Sequence, residues 1–447
     1  VRILFVTPQP PFPPKKGTTL RNAALIAAAA RRHEVRVLTV EDHSHRATLP
    51  SASPQPRESN AGSIGRAPRE GERTRWHARD PVNTAVPLDI PIDIVPRPRR
   101  TLARRLADLG GSALPDLVLR LRSAAAHERF VALLRSWRPD VVQFEAVEAA
   151  GAVGPLGEAF RAAGVRPRLI YDAHNAEFAL QERLWRTEIG DLHRLPFALY
   201  SLLQWRRLRR WEAGLCRVAE VIAVSAGDAA RLAALAGVQP VVIPNGVDTD
   251  RYAPAPTGPA LDPDAPRLLF VGTLDFRPNV DALCWFAREA LPRIREEFPA
   301  ARLVIAGRDP APAVRALAGP AVDVVGPVDD DLPLLHTASV YVVPLRSGGG
   351  MRFKVVQAMA AGVPVVSTSF GADGVEARHG EHLLVADTPE GLSEAVRRTL
   401  RDPAATRRRV ERARTLVVAR YDWRAILPTL DALYARLEAE TLAEARQ

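Results

Sequence analysis

Short runs of β-branched and apolar residues recur along this chain, each followed by a stretch with helical spacing, and the series runs twice. The first series is RILFV, VRVLTV, VVQF, RLIY and EVIAV; the second is RLLFV, RLVIA, VDVVG, VYVVP, PVVST and HLLVA. Runs without polar alternation are strands buried on both faces, and a parallel sheet needs helices to cover those faces. Two such series predict two α/β, Rossmann-like domains, and 447 residues is enough chain for both. Open parallel sheets bind ligands beyond the carboxyl ends of their strands, so the residues just after each run are the candidates for function.

Punctuation sets the expected boundaries. Residues 43–80 are polar and rich in Ser, Pro, Gly and Arg, which reads as a mobile insertion. Residues 253–266, with five prolines, read as a linker and a domain boundary. The expected division is an N-terminal domain over 1–215, a C-terminal domain over 216–421 and a helical segment over 422–447. Lys plus Arg number 61 against 51 acids, a net charge of +10 that suits phosphate-bearing ligands, an anionic membrane or nucleic acid. No zinc-finger spacing or RNP-like strand accompanies the charge, which argues against nucleic acid. Cys216 and Cys284 are the two cysteines, with no C-x-x-C pair, so a disulfide scaffold and a zinc site are not expected and a reducing compartment is. No window reaches the ~18 apolar residues of a membrane span, and VRILFVTPQPPFPP lacks the pattern of a signal peptide. A cytoplasmic protein is the expectation.

One segment carries chemistry. RSGGGMRFKVVQAMAAGVPVV (346–366) sets three glycines and two cations, Arg352 and Lys354, at the start of a helix. Free backbone N–H groups, the positive end of the helix dipole and close approach at glycine suit a phosphate.

Taken with IPNGVD (243–248), FVGTLDFRPNVDALCWF (270–286), LIYDAHNAEF (169–178) and VIAVS (221–225), this segment resembles the retaining, nucleotide-sugar-dependent glycosyltransferases of group 1 type. The subgroup acting in exopolysaccharide and cell-envelope assembly is the most similar. The resemblance implies the GT-B fold: two Rossmann-like domains facing across a cleft, the C-terminal helix crossing back to the N-terminal domain, acceptor bound by the first and donor by the second. It implies transfer of a sugar from a nucleoside diphosphate to an acceptor hydroxyl with retention. Gly348, Gly349, Gly350, Arg352 and Lys354 would hold the diphosphate, joined by Gly272, Thr273 and Arg277. Gly17 and Thr18 would form the glycine turn near the diphosphate, though Thr18 also suits a helix cap, and His174 would touch the donor sugar. Many relatives carry two glutamates where this chain has Gly349 and Gln357; Gln357 would meet the ribose without charge assistance. No cofactor beyond the donor co-substrate and no metal are implied. Asp248, Asp250, Asp262, Asp264 and Asp329–Asp331 only superficially resemble metal motifs.

Two rivals share these features: a nucleotide-sugar 2-epimerase of the same fold, and a non-catalytic nucleotide-sugar-binding partner of another transferase. Arg97, Arg99, Arg100, Arg104, Arg105, Arg120 and Arg122 lie among leucines, and QWRRLRRW places Trp205 and Trp211 around four arginines. Both segments point to peripheral contact with the inner face of a membrane, where a sugar or lipid-linked acceptor would be presented.

Overall fold

The computed structural model describes residues 1–14, 17–41, 74–79, 87–189, 195–347 and 353–445. The chain divides into two compact units. Unit 1 comprises residues 1–223, 229–241 and 431–447, and unit 2 comprises 224–228 and 242–430.

Unit 1 is built on strands β1 (Arg2–Thr7), β2 (Glu34–Glu41), β3 (Thr74–Arg79), β4 (Pro87–Pro96), β5 (Val141–Glu145), β6 (Arg168–Ala173), β7 (Glu220–Ala223) and β8 (Val241–Val242), in the order β3-β4-β2-β1-β5-β6-β7-β8. Its pairing is parallel from β4 to β7, and β3 runs antiparallel against β4. Leu4, Val6, Phe144 and Tyr171 from the strands meet Phe130, Leu134 and Leu208 from the helices in one core. The strand β3 lies within the stretch expected to be an insertion; residues 42–73 and 80–86 lie outside the described residues. β4 (PLDIPIDIVP) is a strand that the sequence reading passed over, because Pro87, Pro91 and Pro96 speak against a ladder.

Unit 2 holds β9 (Arg267–Val271), β10 (Arg302–Ala306), β11 (Val322–Gly326), β12 (Val340–Val343), β13 (Val365–Ser367) and β14 (Leu384–Val385), all parallel, in the order β11-β10-β9-β12-β13-β14. Successive side chains leave a strand on opposite faces. Leu268, Phe270, Leu303 and Ile305 therefore enter one core, and Leu269, Val271, Val304 and Ala306 enter another, so both faces are covered by helices.

The observed division departs from the expected boundaries for packing reasons. The helix Leu195–Val218 runs past residue 215 into β7, which pairs with β6, so unit 1 continues to Ala223. The proline-rich 253–266 stretch is part of unit 2. His336 Nε2 is 2.9 Å from Ala253 O, and Pro254 packs where a Cβ on Gly362 would come within 2.9 Å. The helix Trp423–Ala445 belongs to unit 2 at its start and to unit 1 from Asp431 onward.

Candidate functional site

The residues singled out in unit 2 follow β9 and β12. Gly272 N–H donates to Ala306 O (3.0 Å), and Asn279 Nδ2 donates to Thr273 O (2.8 Å). A side chain at Gly307, whose φ is +150°, would place its Cβ 1.7 Å from Gly272 O. The glycine pair lets the ends of β9 and β10 close on each other. Arg277 opens the helix Arg277–Trp285 and is exposed. Arg346 donates to both oxygens of Asp281 (3.0 and 2.5 Å) and lies 4.9 Å from the centre of the Trp285 ring, which anchors the end of the β12 loop to that helix. Gly348, Gly349, Gly350 and Arg352 lie outside the described residues.

Lys354 is the second residue of the helix Phe353–Ala360. Its Nζ donates to Asp331 Oδ2 at 2.6 Å, Tyr252 OH donates to Asp331 Oδ1 at 2.9 Å, and Gln357 Nε2 donates to Tyr252 OH at 2.7 Å. Burial works against the charge of Asp331, but Lys354 prevails and holds it below the ordinary carboxylate value. Gln357 is 3% exposed, and its Oε1 is buried with no partner among the described residues. So Gln357 meets Tyr252 in this structure, and the lysine expected at a phosphate is held by a carboxylate. Lys354 and Gln357 were legible in the sequence; Asp331 and Tyr252 were not.

Unit 1 gathers a second group beyond β5 and β6. Parallel register sets Glu145 beside Asp172, two carboxylates that repel unless compensated. Arg21, in the helix Gly17–Ala30, supplies the compensation: Nε and Nη2 each donate to Asp172 at 2.8 Å, and both residues are fully buried. His174 Nε2 lies 3.2 Å from Glu145 Oε2 and 3.7 Å from Asp172 Oδ2. In the amide orientation that satisfies its neighbours, Asn22 donates to Glu145 Oε2 and to Thr18 O, both at 2.9 Å. Gln143 Nε2 donates to Glu145 Oε1 (2.8 Å), and Tyr434 OH donates to Gln143 Oε1 (2.7 Å).

The electrostatics follow from this geometry. Burial and the Asp172 charge push Glu145 up to about 7. Burial opposes charge on Asp172 too, but Arg21 holds it below its ordinary value. Burial would lower His174, yet the Glu145 hydrogen bond and the Asp172 charge hold it above its ordinary value. Glu145, raised to about 7, and His174, held above its ordinary value, thus compete for one proton. Glu145, Asp172 and His174 also lie within reach of a common cation, a place where Arg21 already takes both Asp172 oxygens.

The helix Glu177–Glu188, which follows His174, has no side-chain cap of its own at Ala176. Glu212 supplies one from another helix, accepting from Phe178 N (2.9 Å), Glu177 N (3.3 Å) and Tyr171 OH (2.8 Å). Gly17 begins its helix with open space where a Cβ would stand. The aspartates that resemble metal motifs mainly close turns: Asp248 Oδ1 accepts from Asp250 N and Arg251 N, and Asp262 Oδ1 from Asp264 N.

The chain matches two family models: "Glycosyl transferases group 1" over residues 265–402 and "Glycosyltransferase Family 4" over residues 89–251. It is 33% identical over 206 residues to a phosphatidyl-myo-inositol mannosyltransferase of Mycobacterium leprae, covering 44% of this chain and 54% of that protein. It is 34% identical over 207 residues to a glycogen synthase of Mycobacterium tuberculosis, covering 43% and 47%. The matches thus span about half the length of these curated relatives. Among solved structures, Anabaena HepE in complex with UDP superposes with a TM-score of 0.63 at 15% identity, over 98% of this chain and 100% of that one, which is a likeness of fold. Two parallel-sheet units, matched in turn by a family 4 and a group 1 model, place this chain in the group 1 glycosyltransferases of the GT-B fold.

Proposed function

We propose that the chain transfers a sugar from a nucleoside-diphosphate donor to an acceptor hydroxyl, with retention at the anomeric carbon, in polysaccharide or glycolipid assembly. The observation that carries this reading is Lys354, near the start of the Phe353–Ala360 helix and held at 2.6 Å by Asp331. A lysine so placed is oriented before any ligand arrives, and its 40% exposed side chain is available to a phosphate. Bond cleavage at the anomeric carbon leaves charge on the departing diphosphate, and a fixed cation stabilises that charge where it develops. Arg352, Arg277 and the glycines 348–350 extend the same role in unit 2, with Gly272 and Thr273 shaping the end of β9. In unit 1, His174 is assigned to the donor sugar, its ring held by Glu145, and Gly17 and Thr18 to the turn near the diphosphate. The donor serves as co-substrate with no separate cofactor, and the acceptor is a sugar or a lipid-linked sugar met at the inner face of a membrane.

The test is a thermal-shift panel of UDP-, GDP- and other nucleotide sugars, followed by NMR assignment of the product anomer. A ligand at ~100 times its Kd adds about 2.7 kcal/mol to stability. A chain that none of the nucleotide sugars stabilises, or a product of inverted configuration, refutes the reading.

One observation favours a second reading, a non-catalytic nucleotide-sugar-binding partner. Gln357 spends its amide nitrogen on Tyr252 inside the unit. Donor binding without turnover, in the presence of a range of acceptors, would select it.

A further inference from the structure

The helix Leu102–Gly111 buries none of its residues. Thr101 caps it by accepting from Arg104 N, yet Leu102 and Leu106, one turn apart, are 71% and 61% exposed. Alongside it, the first turns of the Leu195–Val218 helix expose Leu195, Phe197 (65%), Leu199 and Tyr200. The two helices flank a groove of about 260 Å³ lined by Leu102, Leu106, Leu109 and Tyr200 and by the acids Asp108 and Asp116, and Arg207 ties its end by donating to Leu109 O at 2.6 Å. Contiguous apolar surface of this kind marks an interaction face.

Beside the groove lies a depression of about 470 Å³ lined by Arg97, Arg99, Arg100, Arg105 and Arg120, with Asp116 the one acid in its wall. The acids that meet these arginines are already paired. Arg100 donates to Asp108 and Asp116 at 2.8 Å each, Arg104 lies 3.2 Å from Asp108, and Arg120 lies 3.1 Å from Glu148. Arg99, Arg105 and Arg122 pair with no acid among the described residues. The face is therefore apolar at its centre and cationic at its rim.

We propose that this face docks on an anionic lipid bilayer, with Leu102, Leu106 and Phe197 entering the interface and Arg99, Arg105 and Arg122 meeting lipid phosphates. Charge selects this occupant. A second copy of the chain on a two-fold axis would bring the same unpaired arginines against each other, whereas each cation near an anionic surface strengthens binding about fivefold. The tryptophans expected to anchor here do not. Trp205 stacks on Trp185 (centroids 5.5 Å apart, planes at 12°), Trp211 packs on the unit 1 core, and Arg207 is buried. The apolar anchor of this helix is Phe197, about two turns before Trp205 and on the face of Tyr200 and Gln204. Among the described residues no helix is long and apolar enough to cross a membrane, so docking of this kind would be peripheral. The inference deepens the glycolipid reading above and rests on it for its purpose, while lipid binding itself is measured without a donor.

The experiment is co-sedimentation of the full chain with vesicles of phosphatidylcholine alone, or of phosphatidylcholine and phosphatidylglycerol in equal parts, at low and high salt. Binding to the anionic vesicles that weakens with salt is expected. Leu102→Glu with Leu106→Glu, and separately Arg99→Glu with Arg105→Glu, should each lower the partition coefficient by about tenfold or more. The control Arg407→Glu with Arg408→Glu, an equal charge change at exposed sites of unit 2, should retain binding. Absence of anionic-vesicle binding, or an equal loss in the control, overturns the proposal. So does a leucine variant that turns a dimer into a monomer while vesicle binding stays unchanged. Nucleotide-sugar thermal shifts on the same variants separate the two readings: vesicle binding without donor binding keeps this proposal and removes the transferase.

Discussion

Lys354 and Asp331, 23 residues apart in sequence, meet at 2.6 Å, with the aspartate side chain 9% exposed and the lysine side chain 40% exposed. The pair is asymmetric: the anion is committed to the interior and the cation has one side to solvent. Any phosphate that engages Lys354 must therefore share it with Asp331.

Replacing either partner should move donor affinity in opposite directions. Lys354→Ala removes the cation and should cost about 2–4 kcal/mol in kcat/KM. Asp331→Asn removes the competing charge while keeping an acceptor for Tyr252, and should tighten donor binding by up to about tenfold. Steady-state kinetics reads the Lys354→Ala loss, and calorimetric titration with the nucleotide sugar reads the Asp331→Asn gain. Weaker binding in the Asp331→Asn variant would show that the aspartate orients the lysine more than it competes for it.

Gln357 gives a prediction on stability. Gln357→Glu would add a second carboxylate beside a Tyr252 hydroxyl whose proton already goes to Asp331. Burying that charge should lower stability by about 1–3 kcal/mol. Gln357→Met removes the unpartnered Oε1 at similar volume and should be neutral or stabilising. Urea unfolding of both variants measures the difference. A Gln357→Glu variant as stable as the parent, with tighter donor binding, would place the side chain at the ribose instead.

Glu212 makes the stability of unit 1 fall as pH rises. Burial pushes its carboxyl from 4.5 up to about 8, against the pull of the Phe178 N–H. Between those values the folded chain keeps a proton that the unfolded chain has lost, so the folded state is progressively disfavoured as pH climbs through the window. Glu145 and Glu177, both pushed to about 7 by burial first and then by a neighbouring carboxylate, act with the same sign. His174, held above its ordinary value, also contributes stability that is lost on raising pH. Glu212→Gln keeps an oxygen for the helix cap and removes the titration. Its melting temperature should fall less steeply between about pH 5 and pH 8 than that of the parent. Parallel slopes would show that Glu212 is ionised throughout.

The β-strands of both units were readable because parallel strands buried on two faces are continuous apolar runs. β4 was hidden because prolines interrupt its pattern. His174 and Lys354 stood out by their place just after strands, while their partners did not. Arg21 reaches Asp172 across 151 residues and Gln357 reaches Tyr252 across 105, and no local periodicity encodes such pairs. A weaker signal was present all the same. Gln143 and Glu145 are polar residues on one face of an otherwise apolar buried strand, and Arg21 sits in an alanine-rich helix. Such residues must be satisfied from elsewhere in the fold.

Tyr434 donates to Gln143 from 291 residues further along the chain, although both belong to unit 1. On a ribosome adding about 5–20 residues each second, β5 is made roughly 15–60 s before the helix that completes its hydrogen bonds. Throughout that interval the nascent sheet carries Gln143 without its Tyr434 partner, while the whole of unit 2 emerges. Newly made unit 1 therefore passes through a state that lacks the Tyr434–Gln143 bond of the finished protein. Chaperone engagement and quality control during translation would act on that state.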